Sequence, residues 1–298
     1  MCAAERAAIA ERIAWYLIPP ILRPAARRLR RALARVVPGL REWEYVPQGW
    51  ARERMNPPIR GWNVESVVEA YRRKLPAFRD ALEGPGPIAI PTSLGAPITT
   101  PDIRDQNVVL AYAYALALAS RQSSSVSILD WGGGLGFFYL LSRALLPPEV
   151  SIDYSCKEVP AVCAQGREAL PEARFYEHDS CLDRRFDLVV ASSSLQYSQE
   201  WLELLERLAG AATRYLYVTR VPVVLSSRSF VVLQRAHRYG FETEYLSWVL
   251  NRAELVDAAR RAGMELVREF LLGYTPRVHR APEQDETRGF LFRPAAAT

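Results

Sequence analysis

Lysine is nearly missing from this chain. Of its 38 basic residues, all but Lys74 and Lys157 are arginine. With the heavy use of alanine, this points to a GC-rich bacterial coding sequence, which is an argument about codons and not about chemistry. Cysteine is scarce as well, at Cys2, Cys156, Cys163 and Cys181. No CxxC pair and no histidine at zinc-type spacing accompanies these four, so neither a disulfide framework nor a structural zinc site is indicated. Free thiols in a reducing cytoplasm fit them, and the cytoplasm is the expected location. No apolar run approaches the roughly 18–20 residues of a membrane span. The longest, Ile13 to Leu22, is broken by Pro19 and Pro20. It has no small-residue cleavage site, which argues against a signal peptide. No HxH or clustered acid pattern indicates a catalytic metal.

What is present is an ordinary globular composition, 49% hydrophobic and 24% charged over 298 residues. That length suits one large domain or two small ones. The net charge of +5 is uneven: residues 1–60 carry +7, leaving −2 for the rest. The near-neutral remainder argues against a broad nucleic-acid face on it. Residues 1–37 read as one or two basic amphipathic helices, with Arg23, Arg27, Arg28, Arg30, Arg31 and Arg35 around Leu29, Leu33 and Val36. Such a face can lie on an anionic membrane, pack on a partner or stand in solvent. Peripheral contact of residues 1–40 with the inner membrane face is therefore one expectation and a solvated basic surface the other.

Residues 38–62 are rich in Pro, Trp and Arg and read as an irregular connection. Asn63 is placed to cap a helix over 64–82, which the Gly/Pro cluster from Gly84 to Pro87 ends. Asp102 or Asp105 then opens a second helix. From residue 126 the chain alternates strands (126–130, 151–158, 173–177, 186–191, 214–221) with helices (136–147, 160–169, 198–212). Alternation of this kind implies a parallel sheet covered on both faces. Asn251 to Glu254 reads as a capping box for a helix ending at Gly263. Two last strands fall near 265–272 and 289–293.

The most telling stretch is Ser127-Ile-Leu-Asp-Trp-Gly-Gly-Gly-Leu-Gly136 followed by the helical run Phe137 to Leu146. A strand, a glycine turn and a helix N-terminus bring backbone N–H groups close to a ligand. A dinucleotide fingerprint would need a third glycine where Phe137 stands, so that pattern fails. The observed spacing, Asp130-x-Gly132-x-Gly134-x-Gly136, resembles motif I of the class I S-adenosylmethionine-dependent methyltransferases. Further stretches carry the resemblance on: Trp62 to Tyr71, Leu129 to Gly136, Cys156 to Pro160, Ala191 to Tyr197 and Thr243 to Leu246. Over about residues 43–294 they look like a family of bacterial methyltransferases encoded beside polysaccharide and natural-product genes.

The resemblance implies an α/β fold, a Rossmann-like seven-stranded methyltransferase sheet. It carries an N-terminal helical cap or extension (1–100), an S-adenosylmethionine-binding domain (101–298) and a substrate-covering insertion after the fifth strand (222–250). It implies S-adenosyl-L-methionine as cofactor, around Asp130, Gly132, Gly133, Gly134 and Gly136. Asp130 would lie near the methionine portion, and Glu158, ending the second strand, would accept from the ribose hydroxyls. Asp153 is the rival acid but falls early in its strand. Asp179 would stand near the adenine, with loop solvation beside His178 and Ser180 as the alternative. Ser192, Ser193 and Gln196 would meet the cofactor edge, and Tyr197 the junction of cofactor and substrate.

His237 is the general-base candidate by residue type, with Tyr197 also placed for catalysis. Tyr239 and Tyr245 are acceptor contacts, and Arg220, Arg235 and Arg238 would suit a carboxylate or phosphate. The acceptor is then a small molecule, anionic if those arginines bind it: a sugar, lipid-linked or secondary-metabolite intermediate. No nucleic acid is expected, since the fourth strand lacks the Pro-Pro-aromatic ending that holds a flipped base. The sequence leaves the oligomeric state open, a homo-oligomer included. The competing reading is a membrane- or complex-associated partner that keeps the fold with weak turnover.

Overall fold

The structure, a computed structural model, describes residues 42–50, 59–91, 102–236 and 241–296. All belong to one compact unit, residues 42–298. The basic segment 1–40, the loop holding His237, Arg238 and Tyr239, and residues 51–58 and 92–101 lie outside the described residues.

The elements run β1 (Trp43–Val46), α1 (Glu65–Glu83), α2 (Ile103–Ser120), β2 (Ser125–Trp131), α3 (Phe137–Leu145), β3 (Ser151–Lys157), α4 (Pro160–Ala169) and β4 (Arg174–Tyr176). There follow β5 (Phe186–Ser192), α5 (Trp201–Ala211), β6 (Ala212–Val224), β7 (Phe230–Arg235), β8 (Glu244–Asn251), α6 (Arg252–Arg261), β9 (Met264–Leu271) and β10 (Glu286–Pro294). The strand and helix alternation read from periodicity is present throughout.

Seven strands lie in the order β4-β3-β2-β5-β6-β10-β9. The first five are parallel, and β10 runs antiparallel to both β6 and β9. The chain reverses at β2/β5, and in open α/β sheets ligands bind beyond the strand C-termini at such a point. This is the Rossmann-like sheet that was expected, but it is not the whole sheet. The strand β6 is 13 residues long, and Val223 and Val224 at its far end pair in parallel with β8. Antiparallel pairing then continues through β7 to β1, giving ten strands among the described residues.

Two expectations change here. The insertion is largely a β-hairpin that widens the sheet. Trp43 to Val46, expected to be irregular, is an edge strand on that hairpin. Its alternating aromatic and branched residues suit a pleated half-buried surface, and Trp43 and Tyr45 pack with Val224, Phe230, Val232 and Val278. Both β1 and α1 fall within the compact unit of residues 42–298.

The central strand β5 is buried on both faces, and β2 over most of its length, which is why they read as apolar runs with little alternation. Ile128, Leu188 and Val190 face α1 to α3, packing with Phe78, Tyr112, Phe138 and Leu141. Leu129, Val189 and Ala191 face α5 and α6 with Leu205, Leu208 and Leu255. The caps are partly as expected. Asp102 caps α2 and exchanges hydrogen bonds with Asp105 in a capping box. Asn251 caps α6 through Ala253 and Glu254 N–H, but Glu254 itself takes the Ser229 hydroxyl. Asn63 does not cap α1; its side chain accepts from Ala161 N–H, and Val64 occupies the cap position.

Candidate functional site at the strand C-termini

The glycine turn closes over Asp130. Gly132, Gly134 and Gly136 adopt φ of 76°, 62° and 79°, a left-handed region that glycine enters without a Cβ penalty. Gly133 is constrained by contact instead: a Cβ there would stand 2.2 Å from Asp130 Oδ2 and 2.9 Å from Cys156 Sγ. The glycines were expected to spare a ligand such clashes. In the structure their missing side chains first make room for the protein's own atoms.

Asp130 itself is fully buried. Its Oδ2 accepts from the Tyr154 hydroxyl, while Oδ1 has no hydrogen-bond partner among the described residues. Burial pushes its pKa up to about 7, the Tyr154 bond opposes the rise, and the charge of Glu158 adds to it. Its first role is to floor the turn.

Glu158 follows β3 directly. One carboxylate oxygen accepts from Gly134 N–H and the other from Val159 N–H, both at 2.9 Å. Burial raises its pKa, and these two N–H groups and Lys157 oppose the rise. The rival acid, Asp153, is spent at the other end of the strand on Arg174 and Arg184. Asp179 pairs with Arg207 at 2.7 Å and with Lys157 at 3.8 Å. Those pairs hold the loop after β4 in place, and His178 beside it is exposed. Lys157 also lies 5.0 Å over the ring of Trp131.

At the end of β5, Ser192 is buried, and Ser193 has a φ of 53°. Arg220, on the neighbouring β6, is also left-handed, at 55°. The two irregular positions are tied together. Ser193 N–H donates to Thr219 C=O at 2.9 Å, and Gln196 Nε2 donates to Ser193 Oγ and Arg220 C=O, each at 3.2 Å. Three buried oxygens here, Ser192 Oγ, Ser194 Oγ and Gln196 Oε1, have no hydrogen-bond partner among the described residues. Buried polar atoms without partners are uncommon and mark places where a ligand or water completes the set.

An aromatic wall adjoins this end of the sheet. Trp62 stacks on Tyr245 at 4.1 Å and meets Tyr197 edge-on at 4.9 Å. Tyr71 of α1 packs edge-on against Phe137 and Phe241 and lies over Gly134. Tyr197 and Tyr245, read separately from the sequence, are therefore brought together. Burial raises the pKa of Tyr197 and Tyr71, keeping both neutral. Arg235 is not at the rim: it pairs with Glu44 at 3.0 Å, joining β1 to β7.

Sequence reasoning missed Trp62, Tyr71 and Lys74. Lys74 is half-buried, donates to Pro91 C=O at 2.8 Å and lies 5.8 Å from the Phe241 ring centre. Burial lowers its pKa to about 8, assisted by Arg220 and Arg73. The available signal was compositional, one of two lysines in a chain that otherwise uses arginine. Among the described residues no group of three His, Cys, Asp or Glu is arranged to hold a metal ion, and no helix is long and apolar enough to cross a membrane.

No family model matches the chain, and no curated protein matches it. Solved structures resemble it at low identity. An S-adenosylmethionine-dependent methyltransferase from Clostridium acetobutylicum is 9% identical, with a TM-score of 0.43 over 66% of this chain and 94% of its own. Magnesium protoporphyrin IX methyltransferase from Synechocystis, solved with S-adenosylhomocysteine, is 14% identical, with a TM-score of 0.41 over 78% and 100%. A methyltransferase from Streptomyces caelestis is 16% identical, with a TM-score of 0.43 over 76% and 98%. At these scores the likenesses stand beside the site geometry and support none of it.

Proposed function

We propose that this chain is an S-adenosylmethionine-dependent methyltransferase acting on a small-molecule acceptor. The observation that carries the reading is the placing of Glu158 on Gly134 N–H, at the reversal point of the sheet. A carboxylate fixed at the lip of a glycine turn can take two vicinal hydroxyls, the same logic by which dinucleotide folds hold ribose. The unpartnered oxygens of Ser192, Ser194, Gln196 and Asp130 fit a polar ligand lying across the ends of β2 and β5. When bound, S-adenosylmethionine supplies an electrophilic methyl group on a sulfonium.

The residues present do the rest by positioning. Glu158 and the turn of Gly132 to Gly136 would hold the nucleoside end, with Asp179 beyond. Ser192, Ser193 and Gln196 would line the reacting edge. The wall of Tyr197, Tyr245 and Trp62 would orient the acceptor and exclude water, and Arg220 would stand at its rim. Orientation of this kind supplies about 7–11 kcal/mol in well-ordered systems. His237, Arg238 and Tyr239 keep their proposed roles as base and acceptor contacts. Sugars, lipid-linked intermediates and secondary metabolites all suit an aromatic wall with a cationic rim.

Titration calorimetry with S-adenosylhomocysteine tests the reading. Saturable one-site binding that is lost in Gly134→Arg supports it, and the absence of binding by the wild type overturns it.

A further inference from the structure

The connection between β9 and β10, residues 272–285, is irregular but firmly held. Val278 is buried among Trp43, Val224 and Phe230. The backbone of His279 bonds to β1, donating to Trp43 C=O and accepting from Tyr45 N–H, both at 3.0 Å. The two polar side chains just before Asp285 are well used. Glu283 accepts from the N–H groups of Leu225, Ser226 and Ser227. Gln284 accepts from Val278 N–H at 3.1 Å and donates to Val278 C=O at 3.0 Å.

Asp285 is the exception. It is 2% exposed, and neither carboxylate oxygen has a hydrogen-bond partner among the described residues. Burial pushes its pKa up to about 7, with its own backbone N–H opposing the rise. An unpaired buried carboxylate is costly, and such a group marks a place that an added donor completes. Asp285 stands in the wall of a cleft of about 450 Å³, a size that suits a small molecule. Arg277 and Arg280 line the same cleft, both exposed, and no ion pair joins either of them to Asp285. Arg280 holds a left-handed φ of 60°, a strain that folded proteins keep mainly at functional places.

We propose that this cleft is a second small-molecule site, for a zwitterion of the amino-acid type, with its ammonium group on Asp285, its carboxylate on Arg277 and Arg280, and its carbon chain along Pro276 and Val278. A simple cation would meet the two arginines, and a simple anion would meet Asp285. A molecule carrying both charges satisfies both ends. Because the acid and the guanidinium groups do not pair with each other, the ligand has a gap to span. An ammonium group brings three donors and the charge that an ionised carboxylate lacks here, and the arginine forks match a carboxylate. Among the described residues the cleft shares no lining residue with the glycine turn or the aromatic wall. The inference is therefore independent of methyl transfer.

Calorimetric titration of the full-length protein at pH 8, above the Asp285 pKa, tests it. The probes are γ-aminobutyrate and ε-aminocaproate, zwitterions of two lengths, with butylammonium and butyrate as single-charge controls. Saturable binding of at least one zwitterion is expected, about tenfold tighter than either control, the size of one charge-assisted contact. Asp285→Asn keeps the side-chain volume, and a thermal melt checks its fold. It should bind the zwitterions no more tightly than butyrate. Arg277→Gln combined with Arg280→Gln, at exposed positions, should bind them no more tightly than butylammonium. Should Asp285→Asn fail to fold, the double arginine variant decides alone. Absence of saturable binding of both zwitterions would overturn the site. So would wild-type affinity surviving in a folded variant, or a single-charge control that binds as tightly as the zwitterions.

Discussion

Replacing Glu158 by glutamine removes a charge and changes almost no volume. In the wild type each carboxylate oxygen accepts one backbone N–H, from Gly134 and from Val159, at 2.9 Å. A glutamine amide nitrogen cannot accept, so one of those N–H groups loses its acceptor and faces a donor. Losing a charge-assisted bond of this kind costs about 1.5–3 kcal/mol. Relief of the burial that disfavours the wild-type charge and raises its pKa opposes that cost. The unliganded variant should therefore melt within about 4 °C of the wild type.

Binding has no such compensation. Two ribose hydroxyls that met a carboxylate would meet a neutral amide and lose about 1.5 kcal/mol each. The total of about 3 kcal/mol weakens S-adenosylhomocysteine roughly 150-fold. The sign of the pH effect follows. Because the Glu158 pKa is raised, wild-type affinity should fall as pH drops through a point above the ordinary carboxylate range. The glutamine variant should lack that fall. Calorimetry reads affinity and a thermal melt reads the fold. An Glu158→Gln protein binding within about threefold of the wild type, under 0.7 kcal/mol, would refute the ribose role.

Other expected outcomes concern the turn and the wall. Gly133→Ala places a Cβ 2.4 Å from Asp130 Cγ, and overpacking of this kind costs about 1–3 kcal/mol, read as a lowered melting temperature. Asp130→Asn removes a group whose pKa rises on folding to about 7. The folded wild type thus holds its proton more tightly than the unfolded chain and loses stability as pH rises from the carboxylate range to about 7. The asparagine variant should gain on the wild type by up to about 4 kcal/mol in denaturant melts at pH 8 and not at pH 4. Trp62→Ala removes the contacts to Tyr245 and Tyr197. It should leave S-adenosylhomocysteine affinity unchanged while reducing labelled-methyl transfer to native lysate about tenfold. An equal loss of both would move Trp62 to the cofactor side.

The sequence was most legible where structure is local. The β2 turn and α3 are contiguous, and their apolar spacing and positive-φ glycines can be read without knowing what they touch. Glu158 reads ahead of Asp153 because a strand's last residue faces the ligand edge; in the structure Asp153, at the other end, is engaged by Arg174 and Arg184. The hairpin β7–β8 and the edge strand β1 were hidden for the opposite reason. Trp43 finds its partner Gln234 nearly two hundred residues away, and no periodicity within four residues announces such a pairing. The wall was half legible: Tyr197 and Tyr245 stood out as residue types, but Trp62 joins them only through the fold.

Composition held one clue that periodicity did not. With arginine used at nearly every basic position, codon bias acts against lysine throughout the chain. Of the two lysines, Lys157 ends β3 and Lys74 lies on α1. Lys157 precedes Glu158 and covers the Trp131 ring, and Lys74 faces the Phe241 ring. Each sets an ammonium against an aromatic face. Arginine also stacks on rings, but its fork is wide and its charge never titrates. A compact cation whose pKa has been lowered to about 8 can release its proton. That difference is what Lys74→Arg isolates. Folding weakens the hold of Lys74 on its proton, so the wild type should gain stability over the always-charged variant as pH rises from about 8 to 10, by up to about 3 kcal/mol in denaturant melts. The same pH dependence in both proteins would refute the desolvation of the Lys74 ammonium.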